Sequence, residues 1–292
     1  MTQPQAIDLV ALEIFKTVAE LGGVTRAAAK LHRVQSNVTT RVKQLEEQLG
    51  TKLFHREKRR LSLSAEGRLL LDYANRLLAL SGEAHAALRG SVPRGTLRIG
   101  ALESTAATRL PPILSAYHLA YPEVNIELVT GTTGALVARV LSRDVQAAFV
   151  AEPFSAQDLD MQLAFTEELV LITPKNHERI ATPKDVGNRT VIAFATGCSY
   201  RRRLEAWLGR ASIVPERIME FGSYHAIVAC VAAGSGIAVV PRAIIRALRP
   251  EQEVEIFPLP ANISRAKTQL VWRRGHQSMA LDALRQKLKP AK

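Results

Sequence analysis

Cysteine is scarce in this chain, which has only Cys198 and Cys230 among its 292 residues. Two cysteines cannot build a disulfide framework, and neither a CxxC pair nor a His/Cys zinc spacing accompanies them. Long apolar runs are missing too, because the longest uncharged run, residues 226–241, is too short to span a bilayer. No secretion signal is visible over the first ten residues. These absences favour a cytoplasmic protein that uses no metal.

The composition indicates an ordinary globular chain. Hydrophobic residues make up 47% and charged residues 23%, which suits two or three domains with real cores. Lysine and arginine number 39 against 27 acidic residues, a formal net charge of +12. This excess favours a polyanionic partner or an anionic ligand, although basic surfaces also occur in proteins that bind neither. Charge alone therefore leaves nucleic-acid binding undecided.

The first fifty residues predict three short helices. Apolar residues at helical spacing indicate a first helix over residues 7–21, and Thr25 is a suitable N-cap for a second, small-residue helix. A third helix begins at Val34 and ends before Gly50, with one apolar stripe formed by Val34, Val38, Val42, Leu45 and Leu49. This arrangement is typical of a helix-turn-helix, in which the last helix enters the DNA major groove. A merely solvated helix face is the alternative.

Two short alternating runs, residues 52–56 and 60–63, predict a β-hairpin with a basic tip. Beside a helix-turn-helix, such a hairpin is a wing that contacts phosphates or the minor groove. A charged surface hairpin without that role is the alternative for any single residue. The residues predicted to contact double-stranded DNA are Thr25, Arg26, Gln35, Ser36, Asn37, Thr39, Thr40, Arg41, Lys43, Arg56, Arg59 and Arg60.

A longer helix is predicted from Ser64 to about residue 89. Its apolar residues recur at spacings of three and four over nearly three heptads, which is typical of a helix–helix seam. A seam of this length favours pairing with a second copy, with intramolecular packing as the alternative. The predicted dimer residues are Leu70, Tyr73, Leu77, Leu80 and Ala84.

After a hinge at Pro93 and Gly95, strands and helices alternate. Strands are predicted at residues 96–101, 124–130, 145–150, 161–165, 169–173, 191–194, 218–221, 237–240, 254–258 and 268–272. Helices are predicted near residues 105–120, 135–142, 199–208, 224–233 and 277–288. This order indicates two α/β lobes with a crevice between them, the chain crossing near residues 160–170 and 262–268.

These patterns predict three segments. Residues 1–63 form a winged helix-turn-helix, 64–92 a linker helix and hinge, and 93–292 an α/β domain. Within that domain, lobe one spans about 93–163 plus 267–292, and lobe two about 164–266.

Several blocks of the sequence resemble the LysR-type transcriptional regulators. They are Thr25 to His32, Gln35 to Thr39, Leu45 to Arg56, Leu63 to Gly67 and Gly234 to Pro241, and the similarity extends over the whole chain. Departures are mild, since Ser64 and Thr39 replace the usual threonine and serine and both keep a hydroxyl. The resemblance implies a linker-helix dimer, a periplasmic-binding-protein-like effector domain and, commonly, tetramers. RNA polymerase is a further candidate partner of such a regulator.

Four junctions between a strand end and a helix start are expected to face the crevice, where free N–H groups and helix dipoles attract anions. We therefore predict a small anionic effector, with Arg201 or Arg202 as counter-charge, although serines and threonines there are also ordinary N-caps. The predicted effector residues are Glu103, Ser104, Thr105, Thr130, Thr132, Thr133, Cys198, Ser199, Tyr200, Arg201, Ser223, Tyr224 and His225.

Other classes of protein explain less of the chain. An enzyme would use Cys198 as nucleophile with His225 or another histidine as base, but no local signature supports it. The glycines at 131–134 and 234–236 lack the remaining residues of a P-loop or dinucleotide fingerprint, so no cofactor is expected. A solute-binding protein would leave residues 1–90 unexplained. We predict a regulator without enzymatic activity.

Cys198 occupies a position that resembles the redox-active cysteine of the family's peroxide-sensing branch. A helix start and the arginines that follow at 201–203 favour a thiolate there. The branch's switch, however, uses a resolving cysteine shortly afterwards, and the next cysteine here is Cys230. We predict that Cys198 lines the crevice and forms no physiological disulfide with Cys230.

Overall fold

The computed structural model describes residues 6–57, 60–88, 92–187, 189–250 and 253–288. The chain divides into two compact units, Met1–Gly90 and Ser91–Lys292. Within the described ranges, no helix combines the length and the apolar character that crossing a membrane requires.

The first unit holds three short helices, a hairpin and a long helix. α1 begins at a cap in which Asp8 accepts from the amide of Val10, and it ends at Gly22 in the left-handed region. α3 likewise ends at a left-handed glycine, Gly50 with φ 66°, a conformation that a Cβ disfavours. The elements are α1 (Leu9–Leu21), α2 (Val24–Lys30), α3 (Gln35–Leu49), β1 (Phe54–Glu57), β2 (Arg60–Leu63) and α4 (Ala65–Leu88).

Two local predictions in this unit are wrong. The N-cap of α2 is Gly23, and Thr25 lies inside the helix. Val34 is the extended residue before α3 and is 69% exposed, so it does not belong to the packed stripe. The stripe begins one turn later, because only from Val38 onward does α3 lie against α1 and α2.

The start of α4 is fixed to the hairpin. Ser64 Oγ donates to the carbonyl of Lys52 (2.7 Å) and accepts from the amide of Gly67 (2.8 Å), so one hydroxyl caps the helix and holds the strand. A Cβ at Gly67 would lie 2.1 Å from the carbonyl oxygen of Leu53. Glycine is therefore required at this crossing of helix and strand.

The second unit alternates strands and helices as the sequence predicts. Its first part is β3 (Gly95–Ala101), α5 (Glu103–Thr108), α6 (Leu110–Ala120), β4 (Val124–Thr130), α7 (Thr133–Leu141), β5 (Ala147–Ala151) and β6 (Leu159–Pro174). The rest is α8 (Pro183–Val186), β7 (Val191–Ala193), α9 (Ser199–Gly209), β8 (Ile218–Glu220), α10 (Tyr224–Ala232), β9 (Ala238–Pro241), α11 (Arg242–Leu248), β10 (Val254–Pro258), α12 (Ala261–Ser264), β11 (Arg265–Arg273) and α13 (Met279–Lys287).

Two long antiparallel strands join the lobes of this unit. The main sheet has the order β10-β6-β11-β5-β3-β4, with β9 also pairing β6, while β7 and β8 form a separate parallel pair. β6 pairs with β11 over residues 159–168 and with β9 and β10 over 169–174. A single strand therefore runs from one lobe into the other.

The sequence predicts two strands where β6 is continuous. The intervening Thr166, Glu167 and Glu168 are polar and suggest a loop, yet they pair in register with residues 265–267 of β11. Glu167 tolerates burial there because Arg109 pairs with both of its carboxylate oxygens, at 2.7 and 2.9 Å. The predicted helix near 105–120 is also two helices, α5 and α6, that meet at Arg109 and Leu110.

Candidate functional site

The outward face of α3 carries the polar side chains predicted from sequence. Gln35, Ser36, Asn37, Thr40, Arg41 and Lys43 are all exposed, as are Thr25 and Arg26 on α2. Thr39 differs, because it is half-buried and its hydroxyl donates to the carbonyl of Gln35 at 3.0 Å. No acidic residue occurs between residues 35 and 45, so the face offers donors and positive charge.

Packing on the opposite side of α3 holds this face in place. Val38 is fully buried with Ile14, Val18, Ala27 and Ala28. The small side chains of the two alanines let the three helices approach closely. Leu45 enters a second cluster with Leu12, Phe15 and Leu53. The exposed residues therefore project from a rigid three-helix support.

Glu46 connects the end of α3 to the hairpin, a role that the sequence did not indicate. Its carboxylate is buried and accepts from the amides of Leu53 (2.9 Å) and Phe54 (3.3 Å) and from Lys52 Nζ (2.9 Å). Burial opposes the charge, but these donors outweigh it and hold the pKa of Glu46 below its ordinary value. One carboxylate thus fixes the β1–β2 hairpin against the end of α3.

The wing itself is described in part. β1 and β2 pair antiparallel, with Arg56 opposite Leu61 and Glu57 opposite Arg60. Arg59 and the side chains of Arg56 and Arg60 lie outside the described residues, so their predicted DNA contacts stay predictions.

α4 presents an exposed apolar stripe. Tyr73, Leu77 and Leu80 are 50%, 40% and 47% exposed, and Leu69, which is not one of the predicted dimer residues, is 61% exposed. Leu70 was predicted to lie in the dimer seam, but it is buried with Ala11, Leu12 and Phe15. The packing of α1 decides which side of α4 is exposed, because α1 covers the side that carries Leu70 and leaves the side with Leu69, Tyr73 and Leu77 open.

In the second unit, residues from both lobes enclose one cavity. Glu103, Thr132, Cys198, Ser199, Tyr200 and Tyr224 line it, and each was predicted to bind effector. Leu102 and Phe194 also line it and are not among the predicted effector residues, although Phe194 ends the strand predicted at residues 191–194 and directly follows β7. Each polar junction precedes or begins a helix, so the parallel topology brings these segments to one crevice.

Other predicted effector residues lie behind the cavity wall or outside it. Ser104, Thr105 and Thr133 are buried, and the Thr133 hydroxyl bonds to the backbone of Ala151. Thr130 and His225 are exposed and Ser223 is half-buried, and none of the three lines the cavity.

The arginines predicted as counter-charges are already engaged. Arg201 pairs with Glu205 (2.7 Å) and with Glu220, and it donates to the carbonyl of Phe194. Arg202 is exposed and donates to the carbonyl of Pro153 at 3.2 Å. Arg201 is therefore paired with acids of its own lobe, although it lines a second cavity with Cys198, Tyr200 and Tyr224, and the counter-charge role of either arginine stays a prediction.

Burial changes the titration of several cavity residues. It raises the pKa of the Cys198 thiol, despite the opposing amides of Arg201 and Tyr200, so the predicted thiolate is disfavoured. It also raises the pKa values of Tyr200 and Tyr224, which stay neutral phenols. Within the described residues no group of histidine, cysteine and acidic side chains could hold a metal ion.

Comparison with known proteins matches both units. A family model described as LysR substrate binding domain matches residues 90–291, and one described as bacterial regulatory helix-turn-helix protein, lysR family, matches residues 9–68. The uncharacterized HTH-type transcriptional regulator YusT of Bacillus subtilis (strain 168) is 41% identical over 268 residues, covering 90% of this chain and 88% of YusT. GltR of the same strain, an HTH-type transcriptional regulator, is 38% identical over 264 residues, covering 90% of this chain and 89% of GltR.

Solved structures show the same fold. Full-length CbnR in complex with its target DNA has a TM-score of 0.69 at 22% identity, covering 97% of this chain and 99% of CbnR. A full-length OxyR variant from Pseudomonas aeruginosa has a TM-score of 0.73 at 20% identity, covering 99% of this chain and 96% of the OxyR chain. With an N-terminal helix-turn-helix unit, a two-lobed α/β unit and matches over nearly its whole length, this chain belongs to the LysR family of transcriptional regulators, which are not enzymes.

Proposed function

We propose that the chain recognises a partly palindromic DNA site through α3, with Gln35, Ser36, Asn37, Thr40 and Arg41 facing the major groove. The observation that carries the proposal is the exposed polar face of α3, free of acid and fixed from behind by α1 and α2. Thr25, Arg26, Lys43 and the wing arginines supply backbone contacts, since positive and hydroxyl groups at the edge of a reading helix meet phosphates. A protein of this kind acts in the cytoplasm on chromosomal DNA.

The DNA-binding form is a dimer joined through α4. Support comes from the exposed stripe of Leu69, Tyr73, Leu77, Leu80 and Ala84, because an apolar seam on a long helix is stable only when it is covered. Two copies also match the two half-sites of a palindrome. Assembly of dimers into tetramers rests on the family alone.

A small molecule bound in the crevice controls DNA binding. Support comes from the cavity itself, which is lined by Glu103 and Thr132 of one lobe and by Cys198, Tyr200 and Tyr224 of the other. A ligand that contacts both lobes stabilises one relative arrangement of them over another, and only such a difference in affinity can shift an equilibrium.

Substitutions on α3 should separate base reading from phosphate binding. Gln35→Ala should relax discrimination at one base-pair position by about 1–3 kcal/mol, because an amide contact to a base edge is lost. Lys43→Ala should weaken binding to all duplexes and reduce the slope of log affinity against log salt by about one. Titrations on the selected duplex, its single-base variants and random DNA measure both effects.

The control is Lys184→Ala, which removes an exposed lysine in the second unit and should leave both quantities unchanged. If every substitution on α3 lowered the affinity for specific and for random DNA by the same modest factor, the assignment of α3 as the reading helix would be refuted.

Cys198 should confer no response to oxidants. The thiol is buried and its pKa is raised, so little of the reactive thiolate forms. After treatment of the protein with peroxide, we expect unchanged operator binding and no Cys198–Cys230 bridge by mass analysis, with Cys198→Ser behaving as the unmodified chain. A peroxide-dependent change in binding accompanied by that bridge would identify a redox sensor instead.

A further inference from the structure

Glu103 is the acidic side chain among the described residues that line the crevice. It lies in the first turn of α5 and lines the cavity together with Tyr224, which begins α10 on the other lobe. Its Oε2 atom is buried and has no hydrogen-bond partner in the described structure. A buried carboxylate oxygen without a donor is costly, so this atom is a binding position for a donor from outside the chain.

The charge around Glu103 favours a cationic donor. Burial raises the pKa of the carboxyl group, with the Tyr224 amide and His225 opposing, so a cation bound beside it would stabilise its charged form. Arg201 of α9, which was the expected counter-charge for an anionic ligand, is paired with Glu205 and Glu220.

The neighbouring wall is apolar and aromatic. Leu102 adjoins Glu103 in the chain, and Phe194 and Tyr224 form a tilted ring pair with centroids 4.7 Å apart. Aromatic faces attract ammonium groups and also pack against hydrocarbon. A carboxylate beside such a pair suits a ligand that has a positive amine on an apolar body.

We propose that the effector of this protein carries a protonated amine that donates to Glu103, with its apolar part against Phe194 and Tyr224. The inference rests on the proposed effector site and defines the chemical class that the site accepts. It departs from the expectation of a small anionic effector, because the arginines expected as its counter-charges have partners within the protein.

Matched compounds test the inference on the full chain. Calorimetric titrations at neutral pH would compare phenethylamine, 3-phenylpropionate and phenylalanine, and then isopentylamine, 4-methylpentanoate and leucine. Each set keeps a similar apolar body and presents an amine, a carboxylate or both. The variant Glu103→Gln keeps the size of the side chain and an acceptor for the Tyr224 amide, and Glu123→Gln makes the same change at an exposed glutamate on the connection before β4.

We expect amine-bearing members to bind and to lose at least tenfold in affinity in Glu103→Gln, with no loss in Glu123→Gln and melting temperatures alike in all three proteins. Tighter binding of the carboxylates without an amine, or amine binding that Glu103→Gln leaves unchanged, would overturn the amine assignment while keeping the crevice as effector site. Absence of binding by every compound would contradict the effector site as well.

Discussion

Replacing Leu77 with aspartate is expected to lower operator affinity at least a hundredfold and to convert the dimer to monomer. Leu77 lies in the middle of the exposed stripe of α4, so pairing of two copies would bring two carboxylates into an apolar interface. A monomer binds one half-site and loses the roughly 10²- to 10⁴-fold gain that a linked second site provides. Sedimentation and operator titration measure the two effects together.

The matched control is Gly82→Asp. Gly82 is an exposed residue of the same helix away from the stripe, and a Cβ placed there meets no atom within 4 Å. This variant should remain dimeric and bind the operator normally. An unchanged oligomer in Leu77→Asp would show that self-association does not use the stripe.

Replacing Glu46 with alanine is expected to destabilise the first unit by about 2–4 kcal/mol. The change removes the acceptor from the amides of Leu53 and Phe54, and a buried donor left without a partner costs about 1–3 kcal/mol. It also releases the wing from α3. The affinity for specific DNA should therefore fall by more than the increased fraction of unfolded protein accounts for. Chemical denaturation of the full chain, followed by a probe in the first unit, measures the destabilisation.

The contribution of Glu46 to the free energy of unfolding should depend on pH. Its folded-state pKa lies below the ordinary value of 4.5, so the stabilisation is fully present above that value and is lost as the pH falls through the folded-state pKa. Glu47→Ala removes the adjacent, exposed carboxylate and serves as control. Equal stability of the Glu46→Ala and Glu47→Ala proteins would contradict the positioning role.

The order of elements could be predicted from sequence because it depends on local periodicity. Strands such as β4 and β10 have the predicted bounds, and the left-handed glycines after α1 and α3 end those helices as expected. The four polar junctions could be found for the same reason, since each is a short segment containing serine or threonine between a strand and a helix.

Contacts between distant residues could not be predicted in this way. Glu46 appears in the sequence as one of two surface acids, and its buried role depends on a strand that arrives seven residues later. From sequence alone Glu167 resembles a loop residue, because its partner Arg109 is distant in the chain. Arg201 likewise resembles a free cation, because its pairing with Glu220 forms only in the folded protein. The electrostatic surroundings of the crevice therefore depend on tertiary structure, and they motivate the proposal that the effector carries an amine.

Sequence-specific recognition of DNA by the α4-linked dimer is tested most directly by titrating the full chain against two duplexes over a range of salt concentrations. One duplex is selected by the protein from a randomised pool, and the other is a shuffled sequence of the same length and composition. We predict a partly palindromic selected site bound at least about 10³-fold more tightly than the shuffled duplex. Equal affinities with equal salt dependence would contradict this account.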